Sequence, residues 1–397
     1  MDVRNTSFTF YNSQVAFNCL LKAFCIGKQD RVLIPAYTDS FIPLTIYHTA
    51  ADPEYADIDP QNYNSLLSHY TEAYERMKSN GTASFLTAVL IHHAYGSPNP
   101  DTDKIVAWAK DKGLLVIEYC TYGPQLSQNG KPLGTSGDGA FFTFGVQGIA
   151  QVNNPKYQNI MSAMETVAPP PTKTESLSLA TTLFIQQLLL RSRHCRLASQ
   201  LFIKSNQLFD INHWDTQLEA TPRNLFRGIG YIQRKVSTYY ANRFDTIVNS
   251  KIQLAAYYSE LLRARGLPVY NYEADSILSA YPVRLKNKQE CLALAKAAGF
   301  ELGQGWDYPL YSNSDDSLLP NAHAAAKEVV CLPLHEQITQ PDAEKLINFL
   351  DSLQKGTIGG IMPEFPLQSS YKIPHVSELL ERISKAAPSI RKIPWFS

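Results

Sequence analysis

The stretch Leu114-Leu-Val-Ile-Glu-Tyr-Cys120 decides the fold class. Four apolar residues in a row follow Gly113, and the run then meets a carboxyl, a phenol and a thiol. A short apolar run after a glycine stop is the pattern of a strand buried on both faces. Just upstream, Asp101 is placed to cap a helix that runs to about Lys112 and that Gly113 ends. Similar runs stand at Arg31–Ala36, Thr87–His93 and Gly139–Phe144. Gln14–Cys25 carries apolar residues at 15, 16, 17, 20, 21, 24 and 25, the period of a helix. Strands joined by helices of this length predict an α/β fold with a mostly parallel sheet. In such sheets ligands sit at the carboxyl ends of the strands. That rule gathers Tyr37, Thr38 and Asp39, His93 and Tyr95, Glu118, Tyr119, Cys120 and Tyr122, and Thr143 to Gly148 around one crevice.

The chain has 397 residues with 36 basic and 36 acidic side chains, so no net field draws it to nucleic acid or an anionic membrane. The cysteines at 19, 25, 120, 195, 291 and 331 form no CxxC pair and no zinc-type cluster, so no metal site is expected. This scatter, with no apolar leader at the N-terminus, points to a reducing cytoplasm. The apolar stretch 177–190 is broken by Ser178, Thr181, Thr182, Gln186 and Gln187. It reads as an amphipathic helix rather than a membrane span, which needs roughly 20 apolar residues.

The expected organisation is a large α/β domain over 1–165, a proline-rich extended linker over 166–176, and a helical part of the body over 177–265. A smaller C-terminal α+β domain follows over 266–355, then a tail over 356–397. Within the smaller domain, Val269–Tyr272 and Ser279–Leu285 read as strands. Lys288–Ala298 and Pro341–Leu353 read as amphipathic helices. A helical piece is expected at about 376–386 in the tail.

Several of these segments together resemble the DegT/DnrJ/StrS sugar aminotransferases, a family of fold-type I pyridoxal-phosphate (PLP) enzymes. Ala16–Gly27 is similar to that family's first large-domain helix, and Val32-Leu-Ile-Pro-Ala-Tyr-Thr38 to its strand-and-loop signature. Ala56-Asp-Ile-Asp-Pro-Gln-Asn-Tyr-Asn64 and His93-Ala-Tyr-Gly96 resemble two further elements. Pro320-Asn-Ala322 and Val329-Val-Cys-Leu-Pro-Leu-His335 resemble the segment that closes its small domain. The resemblance covers about residues 12–352 and implies a large domain of that fold followed by a smaller α+β domain.

It also implies where the cofactor groups belong. The lysine of "S-F-x-x-x-K" falls on Gly148 in Thr143-Phe-Gly-Val-Gln-Gly148, and glycine cannot form an imine. The aspartate that holds the pyridine nitrogen falls on Tyr119, and the following glutamine on Tyr122. The Ser-Gly-Thr phosphate element becomes Asn12-Ser13-Gln14. The ring-stacking aromatic becomes Asp39, and an asparagine given by a neighbouring subunit falls on Ile232. Ser13, Gln14, Asp39, Tyr119, Tyr122, Thr143 and Gly148 are thus degenerate equivalents of a cofactor site, and no bound PLP is expected.

The leading expectation is a pseudoenzyme. It would act as a supporting or ligand-binding subunit in a sugar or natural-product pathway, as a homodimer or paired with an active aminotransferase. A nucleotide-sugar or another phosphate is the expected ligand, held at the N-terminus of the first helix. One alternative is a PLP-independent enzyme that uses Asp39, His93, Tyr119 and Tyr122 for acid–base work. Another is a PLP-dependent sugar aminotransferase in which a shifted register brings in Lys156.

Overall fold

The structure is a computed structural model that describes residues 6–121, 127–128, 130–177, 179–181, 183, 225–274, 276–300, 302–307 and 317–356. Its centre is a seven-stranded sheet. The strands are β1 (Ser7–Phe10), β2 (Arg31–Pro35), β3 (Asp52–Ala56), β4 (Leu86–His92), β5 (Leu115–Cys120), β8 (Gly139–Phe144) and β9 (Gln147–Val152). Between β5 and β8 lies a short hairpin of β6 (Ser127–Gln128) and β7 (Lys131–Pro132). The sheet order is β1-β9-β8-β5-β4-β2-β3. Neighbours from β3 through β8 run parallel, and β9 is antiparallel to both β8 and β1. The fold class read from the sequence is the one observed, with β1, β3 and β9 added to the four predicted strands.

Helices cover both faces, as a sheet of apolar parallel strands requires. On one face α1 (Ser13–Ala23), α2 (Phe41–His48) and α5 (Pro155–Val167) bury Phe17, Leu20, Leu21, Ile42, Ile46 and Met161 against Ile34, Ile117 and Phe141. On the other, α3 (Leu67–Ser79) and α4 (Thr102–Asp111) bury Tyr70, Met77, Ile105 and Val106 against Leu33, Val89 and Val116. Asp101 stands at the N-cap of α4 but does not cap it with its side chain. Its carboxylate instead accepts from Leu67 N and Lys104 Nζ, which ties α3 to α4.

The C-terminal part is a smaller α+β layer. It holds α6 (Tyr231–Asn242), α7 (Phe244–Ala264), β10 (Tyr281–Arg284), α8 (Lys288–Ala298), α9 (Pro320–Glu328), β11 (Val329–Leu332) and α10 (Gln340–Gln354). Strands β10 and β11 pair antiparallel. Val269–Tyr272 is not a strand: Tyr270 and Tyr272 pack as side chains against Tyr281 instead of joining a ladder. The proline-rich stretch is not extended throughout. Helix α5 reaches Val167, and a helical turn resumes at 173, where Thr172 and Glu175 cap each other's backbone N–H. The tail helix expected at 376–386 and most of 177–190 lie outside the described residues.

Two motif segments weld the layers together. Asp57 accepts from the backbone N–H of Asn321 and Ala322, capping α9 from across the chain. The turn His93–Gly96 docks on 273–279, with Ser279 N donating to Tyr95 O at 2.8 Å and Glu273 N to Ser97 Oγ at 3.2 Å. Gly96 has φ +84°, and a Cβ there would overlap the carbonyl oxygen of Ile277. Gly96→Ala should therefore cost about 3 kcal/mol from left-handed strain and overpacking. Urea unfolding would show it as a lower midpoint, and a midpoint within error of wild type would disprove the contact.

Candidate functional site

The crevice at the carboxyl ends of the strands is filled by rings. Phe141 on β8, Tyr119 on β5 and His92 at the end of β4 are lateral partners in the sheet. In a parallel ladder such partners project from the same face, so their rings meet. Phe141 and Tyr119 stack at 4.7 Å with 6° between planes, and Tyr119 and His92 at 4.5 Å with 20°. Phe17 of α1 extends the row beyond Phe141 at 4.5 Å. At the other end Trp306, from the smaller layer, lies 4.9 Å from His92 and stacks on Tyr95 at 4.3 Å and 15°. Each pair contributes about 0.5–1.5 kcal/mol beyond its buried area.

Asp39 ties this row to the smaller layer. Its Oδ2 accepts from the Tyr119 hydroxyl at 2.8 Å, and its Oδ1 from Trp306 Nε1 at 2.9 Å. Burial, and then the Asp39 carboxylate, push the Tyr119 phenol well above its ordinary pKa, so it stays a neutral donor. Tyr37 and Tyr95 join hydroxyls at 2.8 Å beside the indole. Asp39 and Tyr119, two of the four residues singled out for acid–base work, are thus brought together. Tyr122 lies outside the described residues.

His93 is not in the crevice, which corrects the sequence reading. Adjacent side chains at a strand end leave it on opposite sides, and His92 takes the crevice side. His93 is fully buried on the far side, where its Nε2 lies 3.3 Å from Glu118 Oε2 and its Nδ1 accepts from Asn99 N at 3.0 Å. That acceptance places the ring proton on Nε2. Glu118 also accepts from the backbone N–H of Gly134, Ser136 and Gly137. Burial alone would raise its pKa, but the His93 hydrogen bond and these N–H groups hold it below the usual carboxylate value. Cys120 lies in the core with Leu133, Ala140, Phe142 and Ile277, and burial followed by the nearby Glu118 charge raises its thiol. His93, Glu118 and Cys120 bring their ligand atoms within 4.8 Å of one another, but hydrogen bonds already engage both His93 nitrogens and both Glu118 oxygens. A metal there would have to displace them.

The segment equated with the lysine loop is a tight hairpin. Phe144 pairs with Gln147 across Gly145-Val146, and Gly145 has φ +61°. Gly148 is therefore a strand residue, paired with Thr143 on β8 and with Phe10 on β1. A Cβ at 148 would overlap the Asn12 carbonyl and come within 2.5 Å of Ser13 N. Asn12 itself caps α1, its Oδ1 accepting from Val15 N at 2.9 Å, and Gln14 is buried. Ala150 to Val152 complete β9. Lys156 is exposed in the first turn of α5, with its ammonium 5.0 Å from the Tyr157 ring, and does not reach the crevice. Ile232 sits half-buried in the first turn of α6.

Residues 4–148 match the DegT/DnrJ/EryC1/StrS aminotransferase family. Over that region the chain is similar to this family. It is 32% identical over 136 residues to the GDP-perosamine synthase of Escherichia coli O157:H7, covering 34% of this chain and 35% of that one. It is 23% identical over 363 residues to dTDP-4-dehydro-2,3,6-trideoxy-D-glucose 4-aminotransferase of Saccharopolyspora spinosa, covering 90% and 86%. Matches to three of the curated relatives span only about a third of each relative's length. The fold matches a DegT/DnrJ/EryC1/StrS aminotransferase structure from Brucella abortus with a TM-score of 0.66 at 16% identity, over 88% of this chain and 86% of that one. Among the described residues no helix is long and apolar enough to cross a membrane.

Trp306 and His92 are the site residues that sequence reasoning missed. Trp306 is 267 positions from Asp39, and no local pattern links them. The signal for His92 was the tandem histidine itself, which decides nothing until the register against Tyr119 is known. Burial, then the neighbouring His93, lowers the His92 pKa to about 3. The unfolded ring protonates near 6.5 and the folded one near 3, so stability falls as pH drops through that window. Between pH 7 and 5 this group should remove about 2 kcal/mol, and His92→Phe should lack that part of the pH dependence in urea unfolding. Identical slopes for the two proteins would contradict the buried, neutral ring.

Proposed function

We propose that this chain neither tethers nor turns over PLP. It serves instead as a supporting or ligand-binding subunit in a sugar or natural-product pathway, as a homodimer or beside an active aminotransferase. One observation carries the reading: the backbone of Asn12 and Ser13 lies against Gly148, so the position equated with the lysine has no room for any side chain. A lysine elsewhere would need a path into the crevice, and Lys156 stands outside it.

A second group argues the same way. A PLP ring needs a carboxylate on its nitrogen and an open face to lie in. Tyr119 supplies a phenol where the carboxylate belongs, and its ring is already stacked on both sides. The residues present therefore do not fit the cofactor. The pathway assignment rests on the sugar aminotransferases that the chain is similar to.

The test is direct. Purified protein is incubated with excess PLP, reduced with borohydride and weighed intact by mass spectrometry. No stoichiometric adduct and no aldimine absorbance are expected. A single lysine labelled to completion would overturn the reading. Gly148→Lys should likewise fail to gain an adduct and should lower stability by several kcal/mol through overlap with Asn12. For the subunit role, a protein that stays strictly homomeric and takes up no sugar nucleotide would sink the proposal.

A further inference from the structure

Residues 302–307 form a strap from the smaller layer that carries Trp306 into the crevice, and the strap is anchored on both sides of the indole. Before it, the backbone of Gly303 exchanges two hydrogen bonds with Cys331 on β11, each 2.8 Å. After it, Asp307 meets Lys288 Nζ at 2.6 Å, with the two side chains 12% and 2% exposed. The same ammonium donates to Ala326 O at 2.9 Å. Between the anchors Gly305 turns the chain at φ +70°, where a Cβ would stand 3.0 Å from the Tyr37 hydroxyl and from Val329 O. None of these contacts involves the indole. The strap should stay in place when the indole is removed.

The space the indole fills has a definite chemistry. One face is the Tyr95 ring at 4.3 Å and 15°. Tyr37 stands edge-on at 5.0 Å, and the His92 ring lies at 4.9 Å. Among the described residues the polar contact is a single acceptor, Asp39 Oδ1, at 2.9 Å from the indole nitrogen. His92 keeps its Nδ1 on the Thr38 hydroxyl at 3.1 Å, while its buried Nε2 has no partner among the described residues. Flat walls with one acceptor select a planar ring that carries an N–H.

We infer that Trp306 is a tethered ligand: the crevice is a binding slot for a flat, N–H-bearing aromatic ring, and the strap keeps it occupied by the chain's own indole. This rests on the reading that no PLP lies there. A tethered ring faces its slot at an effective concentration of roughly millimolar or more, so a free ring competes poorly while the strap is docked. The closed state also pins the smaller layer to the large sheet through Asp39 and Tyr119.

The experiment removes the tethered ring. Trp306→Ala, shown folded by circular dichroism, is titrated calorimetrically with indole and with benzothiophene, which has the same shape and no N–H. Saturable indole binding is expected, at least about tenfold tighter than benzothiophene, because a hydrogen bond to the acceptor separates the two. Asp39→Ala in the same background should erase that preference, and the wild-type chain should bind neither at those concentrations. No indole binding by folded Trp306→Ala, or equal binding of the two rings, overturns the inference. Should Trp306→Ala not fold, the wild-type chain decides. The indole N–H resonance that Trp306→Phe removes should exchange with solvent far more slowly than that of free tryptophan, and exchange at the free rate overturns the tethered-ligand reading. A PLP adduct in the borohydride test would sink the cofactor reading without touching these titrations, and a failed titration would leave that reading standing.

Discussion

Close packing of rings across β8, β5 and β4 is the constraint on which the rest of the crevice depends. Three strands in register put Phe141, Tyr119 and His92 side by side, and α1 and the strap close the two ends with Phe17 and Trp306. Protein interiors are packed as densely as organic crystals, so these rings hold one another in place. The row fixes polarity as well. A buried phenol and a half-buried indole each need a partner for their one donor, and Asp39 accepts from both. A single carboxylate thus satisfies the donors of two large side chains.

The opposite side of the strand ends has a different logic. His93 and Glu118 look like an acid–base pair, yet each is committed to backbone groups that shape the turns at 93–99 and 134–137. A carboxylate that accepts three N–H bonds and a histidine bond is electrostatically satisfied, and this offsets the cost of burying it. Removing either partner would leave a buried polar group unpaired. This pair is explained by the fold alone, whatever the chain binds.

Much of the architecture was legible because parallel strands buried on both faces write themselves as apolar runs. Leu114–Cys120 and Arg31–Ala36 are of this kind. The strands that were missed lack that signature: β1 is Ser-Phe-Thr-Phe, half-buried in alternation, and β9 is Gln-Gly-Ile-Ala-Gln-Val. Their partners, not their composition, make them strands. Val269–Tyr272 fails in the other direction. Its β-prone tyrosines serve as packing rings on Tyr281, and tertiary packing overrides propensity. The crevice followed from the rule about strand ends, but the orientation of its residues did not. Side-chain parity flips with each residue, so one histidine faces the crevice and the next faces the core, and only the register of β4 against β5 distinguishes them.

Gly148 joins these points. Read as a sequence, it stands where the resemblance places a lysine. Folded, it is a strand residue whose Cα hydrogens face the turn from β1 into α1, and a two-residue hairpin leaves no loop in which a lysine could be carried. A substitution in an open loop can be reverted by one change, because the neighbours still leave the space. A position closed by backbone cannot, since Asn12 would have to move, and with it the cap it gives α1 and the adjoining pairing of Phe10 with β9. The closure of this position is in this sense a property of the strand pairing rather than of one residue. It is coupled to the stacked row through α1, whose first turn lies over Gly148 and whose Phe17 stacks on Phe141.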